Sequence, residues 1–179
     1  MKYIKLFENF EPYDPYELMI TPPNKKGEML VREIEKKGKA NLNIVGDLIT
    51  LGANIDWQDN VGRTALHRCA SYNHSRIAKM LIDAGADVNI QEGDGWTALH
   101  WCAYKNRPEI ARMLIDAGAD LNIQDENGLT PLYWCVINNH PEIARMLIDA
   151  GADKTIPNNN GTLPYELAIS QELKELLKP

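Results

Sequence analysis

The chain has 179 residues, 25% of them charged and 44% apolar, with a formal net charge of −6. That length suits one domain with a sizeable core, and the acidic balance gives no electrostatic reason to expect nucleic acid or an anionic membrane as partner. No apolar run approaches the ~18 residues of a membrane span, and three cysteines are an odd number with no sign of an oxidising compartment, so an intracellular, cytoplasmic protein is expected.

The first 24 residues, MKYIKLFENFEPYDPYELMITPPN, form an aromatic-rich extension punctuated by Pro12, Pro15, Pro22 and Pro23. They lack the continuous apolar stretch and small-residue cleavage site of a secretory signal. Three roles are open: a cover for the apolar flank of the N-terminal cap, which is favoured, a docking peptide, or a processed leader. MKYIKLFE is similar to the short N-terminal targeting sequences of internal head proteins of T-even-like bacteriophages, which are cut after Leu-x-Glu or Ile-x-Glu. Leu6-Phe7-Glu8 fits that rule.

Residues 25–58 are expected to form an N-terminal cap, with GEMLVREIEKKGK as a first helix and NIVGDLITLGANIDWQ matching a second. Gly52 in that segment opens a series. Gly52, Gly85, Gly118 and Gly151 lie 33 residues apart, and so do Gly62, Gly95, Gly128 and Gly161. TALH at 64–67 recurs at 97–100 and as TPLY at 130–133, while MLIDAGADVNIQ (80–91) returns as MLIDAGADLNIQ (113–124) and MLIDAGADKTIP (146–157). Two independent glycine series at one period mark a repeat architecture.

Three full blocks run 59–91, 92–124 and 125–157. Thr64, Thr97 and Thr130 stand where a helix N-cap should, with a hydroxyl available to an orphan backbone N–H. Pro131 takes the first helical position, where its missing donor costs nothing. A short helix such as Ala98–Tyr104 then meets a polar break. A second helix presents Ile110, Ala111, Met113, Leu114 and Ala117 on one buried face, with Glu109, Arg112 and Asp116 opposite. Gly118 ends it in a left-handed cap, and Asp-Gly and Asn-Gly close turns between blocks. Residues 158–179 read as a C-terminal cap: Gly161 and Pro164 keep register, Leu163 replaces the capping threonine, and QELKELLKP resembles a second helix brought forward by about three residues.

A helix pair of this size cannot bury its apolar face alone, whereas stacked neighbours produce a continuous core. The sequence resembles the ankyrin-repeat family, whose pattern D-x-x-G-x-T-P-L-H-x-A-A followed by L-L-x-x-G-A-D-V-N is matched from Asp59 to Asp153. The resemblance implies an all-α solenoid of stacked helix-turn-helix units with β-turn or hairpin loops. About five repeats are expected, two of them atypical caps. His67 and His100 match the family histidine that hydrogen-bonds backbone and ties adjacent loops; Tyr133 replaces it in the next block. His74 and His140, at the break between helices, take a structural reading by default. Cys69, Cys102 and Cys135 occupy one position in successive blocks, where the family usually has alanine. Stacked equivalents should lie ~10 Å apart, beyond the ~7 Å limit for a disulfide, and buried thiols act as small hydrophobes. No Cys-x-x-Cys, His-Glu-x-x-His or Gly-x-x-x-x-Gly-Lys motif occurs. The expectation is therefore a chain without catalytic residues, metal or cofactor.

In this family, recognition is carried by loop tips and the exposed side of first helices, which line a concave groove. By register, that selects Asn60, Val61, Arg63, Arg68, Ser71 and Tyr72 in the first block. It selects Gly93, Asp94, Trp96, Trp101, Tyr104 and Lys105 in the second, and Glu126, Asn127, Leu129, Trp134, Ile137 and Asn138 in the third. Asn159, Asn160 and Thr162 extend the set. Trp96 and Tyr104 are expected to be exposed anchors. Trp101 and Trp134 stand where the family often has a packed leucine, so core is favoured over groove, and Trp57 is placed at the junction with the cap. The resulting expectation is a monomeric, non-enzymatic module that binds a protein partner, and an inhibitor of a host protein if the source is viral or symbiotic. The alternatives are an accessory or targeting subunit docked through residues 1–24, a phage internal head protein with a cleavable leader, and a modification substrate at Asn89 and Asn122, which resemble asparagines hydroxylated in ankyrin repeats.

Overall fold

Short helices build the described residues, several of them followed by a left-handed glycine or asparagine such as Gly85, Asn106 or Gly118. The structure, a computed structural model, describes residues 15–36 and 40–178. It divides into two units, one ending at Ala86 and the other beginning at Asp87. The leader motif Leu6-Phe7-Glu8 lies outside the described residues.

In the first unit, α1 spans Pro15–Ile20, α2 Pro23–Ile34, α3 Leu42–Thr50, α4 Ala65–Tyr72 and α5 Ser75–Asp83. Helix α2 packs on α3 and α4, and α5 packs on α3 and α4. Leu30, Ile34, Val45, Leu48, Leu66, Ile77 and Leu81 are buried between them. The expected first helix of the cap, beginning at Gly27, is displaced: α2 begins at Pro23, inside the expected extension, and ends at Ile34. Pro23 occupies the first turn, where its fixed φ favours a helix start. Leu18 on α1 is buried, in keeping with a covering role for that part of the extension, while Met19 and Ile20 stay exposed.

Two residues of α2 hold the cap together. The Lys26 ammonium is buried and donates to the Leu51 carbonyl (2.6 Å), at the C-terminal end of α3, where a cation meets unsatisfied carbonyls. Gly27 lies under the loop after α3: a Cβ there would come within 2.5 Å of the Asn54 carbonyl oxygen and of Trp57 Cβ. Trp57 thus sits at the junction of the cap helix and the first full block.

The second unit contains α6 (Ala98–Lys105), α7 (Pro108–Asp116), α8 (Pro131–Ile137), α9 (Pro141–Asp149), a 3₁₀ turn at Pro164–Leu167 and α10 (Gln171–Leu177). Helix α6 packs on α7 and α8, α9 on α7, α8 and α10, and the 3₁₀ turn on α8 and α10. Leu99, Ile110, Leu114, Leu132, Val136, Ile143, Leu147 and Leu173 are fully buried. Ala117, expected on the buried face of α7, is exposed, because it is the C-cap, one residue past the helix and just before left-handed Gly118. At the C-terminal end, α10 begins three residues ahead of the position equivalent to Pro141, as expected. With leucine at 163, its backbone N–H donates to the Glu166 carboxylate (2.6 Å).

No strand occurs among the described residues; the loops between blocks are turns. Glu92 N–H donates to Trp96 O (2.9 Å) and Gly95 N–H to Glu92 O (2.8 Å), with Gly95 at φ +80°. Neighbouring loops are joined by side chains. Asn89 accepts from the Asp120 amide and Asn122 from the Asp153 amide, both at 2.8 Å. Gln91 and Gln124 each donate one block onward, to the Gln124 and Pro157 carbonyls at 3.2 and 3.1 Å. The two asparagines read as modification candidates therefore serve as rungs between turns. No helix among the described residues is long and apolar enough to cross a membrane.

The close approach at Gly27 gives a direct test. Gly27→Ala should lower unfolding stability by about 1–3 kcal/mol, as an overpacked backbone contact does, seen as a lower urea midpoint; a loss below about 0.5 kcal/mol would contradict the tight junction.

Candidate functional site

The surface chemistry of each block starts from an acid at the first position of its turn. In the first unit, Asp59 accepts the Val61 and Arg63 amides (3.0 and 2.9 Å) through Oδ1 and the Arg68 guanidinium (2.5 Å) through Oδ2. Burial alone would raise its pKa, but the two amides and the guanidinium outweigh that and hold the carboxyl below its ordinary value. Arg68 also pairs with Glu35 at 3.0 Å. Its guanidinium is thus engaged within the first unit by two carboxylates, where the sequence placed it among groove contacts. Val61 is exposed; Asn60 is exposed too, and Arg63 and Tyr72 are half-buried.

The same construction recurs two repeats on with a different helix partner. Asp125 accepts the Asn127 and Leu129 amides (2.8 and 2.9 Å), and its second oxygen accepts the Trp134 indole N–H at 3.1 Å. Glu92 accepts the Trp101 indole N–H at 3.1 Å. Both acids are buried, and both were passed over in the sequence, although Asp59, Glu92 and Asp125 recur at the repeat period. Asn158 holds the equivalent place in the last turn, accepting the Asn160 and Thr162 amides at 3.0 Å.

These ties assemble an aromatic cluster. The Trp96 ring centroid lies 4.5 Å from Trp134, 5.0 Å from Trp101 and 5.5 Å from Tyr104. Tyr104 meets Trp134 edge-on at 5.6 Å and Trp101 at 6.3 Å. These are favourable offset and edge-to-face separations, which add stability beyond the area buried. All four rings are half-buried. Trp96 is accordingly less exposed than its position after the Asp-Gly turn suggests, because three other rings close around it. Trp101 and Trp134, for which a core position was favoured, are half-buried, with each indole N–H tied to a carboxylate at the loop. Lys105 is exposed, with its ammonium 4.6 Å from the centre of the Tyr104 ring. Asp94 and Ile137 are exposed, Leu129 and Asn138 half-buried, and the Asn138 amide donates to the Trp134 carbonyl at 2.8 Å.

The histidine rings are tied to backbone groups. His100 Nδ1 accepts the Thr97 backbone N–H at 3.0 Å, so its proton is on Nε2, which donates to the Leu129 carbonyl at 3.1 Å. Thr97 Oγ1 contacts the same Nδ1 at 2.9 Å, so the threonine and histidine cap the helix reciprocally rather than through the hydroxyl alone. Tyr133 makes the onward link in its block, donating to the Ile156 carbonyl (3.0 Å) and contacting the Thr162 carbonyl. It offers no ring nitrogen to the cap, and Thr130 Oγ1 is left buried without a hydrogen-bond partner. His74 donates to the Ile34 carbonyl (3.1 Å) and His140 to the Ala103 carbonyl (2.8 Å). Cys69, Cys102 and Cys135 are buried and not joined in disulfides, and burial pushes the Cys69 and Cys135 thiols well above their ordinary pKa. Among the described residues, no group of three His, Cys, Asp or Glu side chains is placed to hold a metal.

The sequence matches the family described as ankyrin repeats in three copies, over residues 35–125, 92–158 and 118–178. No individual curated protein matches it.

The Asp59 tie carries a pH signature. Its native pKa is depressed, so the stabilisation is present above the unfolded value of ~3.9 and is lost as pH falls through the native value. Asp59→Asn should cost about 1–2 kcal/mol at pH 7, and the gap to wild type should close below about pH 4. Denaturant titrations across pH check this; a gap that stays constant to pH 3 would contradict it.

Proposed function

The chain belongs to the ankyrin-repeat family, whose members are generally protein–protein interaction modules, and on that premise we propose that it binds a partner protein through the aromatic face of α6 and α8 and the turns preceding them. The observation that carries this reading is the half-exposed cluster of Trp96, Trp101, Tyr104 and Trp134. Aromatic rings on rigid elements contribute large contact area at little entropic cost, and binding hot spots are enriched in tryptophan and tyrosine. Exposed Ile137 and half-buried Leu129 supply apolar area beside the rings, and Asp94, Lys105 and Asn138 supply polar contacts. In the first unit, Asn60, Val61, Arg63 and Tyr72 are proposed as further contact positions, and Arg68 as scaffold.

We read the chain as non-enzymatic, monomeric and free of cofactor, in keeping with a family that is typically non-enzymatic. Both ring nitrogens of His100 are engaged by the backbone, and deep burial disfavours the thiolate at Cys69 and Cys135. These observations support the reading, because a nucleophile and its base need accessible, unengaged atoms.

Trp96→Ala/Tyr104→Ala, shown by circular dichroism to be folded, should weaken capture of the native partner by more than about 2 kcal/mol, or roughly thirtyfold. Pull-down from the native cellular background, followed by titration of the captured protein, measures it. Capture unchanged by the double substitution would remove the cluster from the contact surface. A companion truncation should stop at residue 14, because Leu18 is part of the folded unit; a partner lost with that truncation would support docking through the extension instead.

A further inference from the structure

The aromatic face has a chemical preference that family membership does not specify. Two features point to a cation. First, the rings already accept one: the Lys105 ammonium stands 4.6 Å from the centre of Tyr104, within the ~6 Å over which a ring face attracts positive charge. The indoles of Trp101 and Trp134 each donate to an anionic carboxylate, which polarises electron density toward the ring and strengthens that attraction. Second, the turns beside the rings carry exposed negative charge. Asp94 is at the tip of the turn that Trp96 closes, and the Glu126 amide donates to the Asp94 carbonyl at 3.2 Å, so the two acidic residues are adjacent. Both are exposed, and neither side chain has a hydrogen-bond or ion-pair partner among the described residues.

The ring spacing selects among cations. Trp96 is 4.5 Å from Trp134 and 5.0 Å from Trp101, centroid to centroid, which leaves no gap to enclose a bulky methylated ammonium. A guanidinium needs no enclosure. It is planar, stacks on a single ring face, and presents five donors that can reach a neighbouring carboxylate while stacked. We infer that the aromatic face recognises an arginine-bearing segment of the partner, with a guanidinium stacked on the cluster and paired with Asp94 or Glu126.

The inference rests on the aromatic face being the contact surface, and its test separates the two. The probe is a nine-residue glycine-spaced peptide with three arginines, compared with lysine, trimethyllysine and glutamate versions. Intrinsic tryptophan fluorescence of the full chain reports binding, since three of the four tryptophans belong to the cluster. The arginine peptide should give a saturable change and bind at least about threefold more tightly than either ammonium peptide, with no response to glutamate. Asp94→Asn/Glu126→Gln should weaken it about fivefold or more. Glu142→Gln/Asp149→Asn, which removes the same charge from exposed positions on α9, should change it less than about twofold. Lys105→Met, which removes the resident cation from Tyr104, should tighten it. No saturable binding, equal affinity for the lysine peptide, preference for trimethyllysine, or indifference to Asp94→Asn/Glu126→Gln would each overturn the inference. If any of these occurs while Trp96→Ala/Tyr104→Ala still abolishes capture of the native partner, the contact surface stands and only its arginine chemistry is overturned.

Discussion

A carboxylate at the first position of the turn in each full block holds one side chain of the helix that follows. Asp59, Glu92 and Asp125 each do this, nine residues ahead of Arg68, Trp101 and Trp134. A buried acid is costly unless its lone pairs are used. Asp59 and Asp125 each satisfy one oxygen with two backbone amides and the other with the helix side chain. The nine-residue spacing is constant, but its consequence depends on the donor. Arginine at 68 turns the tie into an ion pair that also holds Glu35 of the cap helix. Tryptophan at 101 and 134 turns it into an indole clamp, which holds a large half-buried ring by its N–H.

The cluster is therefore a product of the scaffold rather than an addition to it. Trp96 closes its turn through its own carbonyl, Trp101 and Tyr104 lie one turn apart on α6, and Trp134 occupies on α8 the place Trp101 has on α6. The turns are held at their spacing by Asn89, Gln91, Asn122 and Gln124, and His100 and Tyr133 pin each first helix to the following loop. A surface positioned in this way loses little conformational freedom on binding, which favours affinity.

Much of this was legible in the sequence, for identifiable reasons. Glycines at a fixed period mark left-handed turns and caps, which few other residues can occupy, so the repeat, the helix order and the forward shift of α10 follow from spacing. The grouping of Trp96 with Tyr104 also follows from register. The roles of Glu92 and Asp125 were hidden because an acid before a turn reads as a solvated turn former, and its second oxygen has no signature in a linear pattern. The half-buried placement of Trp101 and Trp134 was hidden for the same reason: without the carboxylate, a tryptophan at a leucine position reads as core. The start of α2 was obscured because consecutive prolines read as punctuation, although Pro23 also suits a helix start. Asn89 and Asn122 look like exposed loop asparagines until the next turn is seen donating to them.

Indole clamps on the Glu92 and Asp125 carboxylates hold Trp101 and Trp134 in place without a partner. Hydrogen exchange of the tryptophan indole N–H groups, followed by nitrogen-resolved NMR on the isolated full chain, tests it most directly. The Trp101 and Trp134 indole protons should exchange far more slowly than those of free tryptophan, and Trp134 alone should lose its protection in Asp125→Ala. Exchange at the free-tryptophan rate for both indoles in the folded wild-type chain would contradict it.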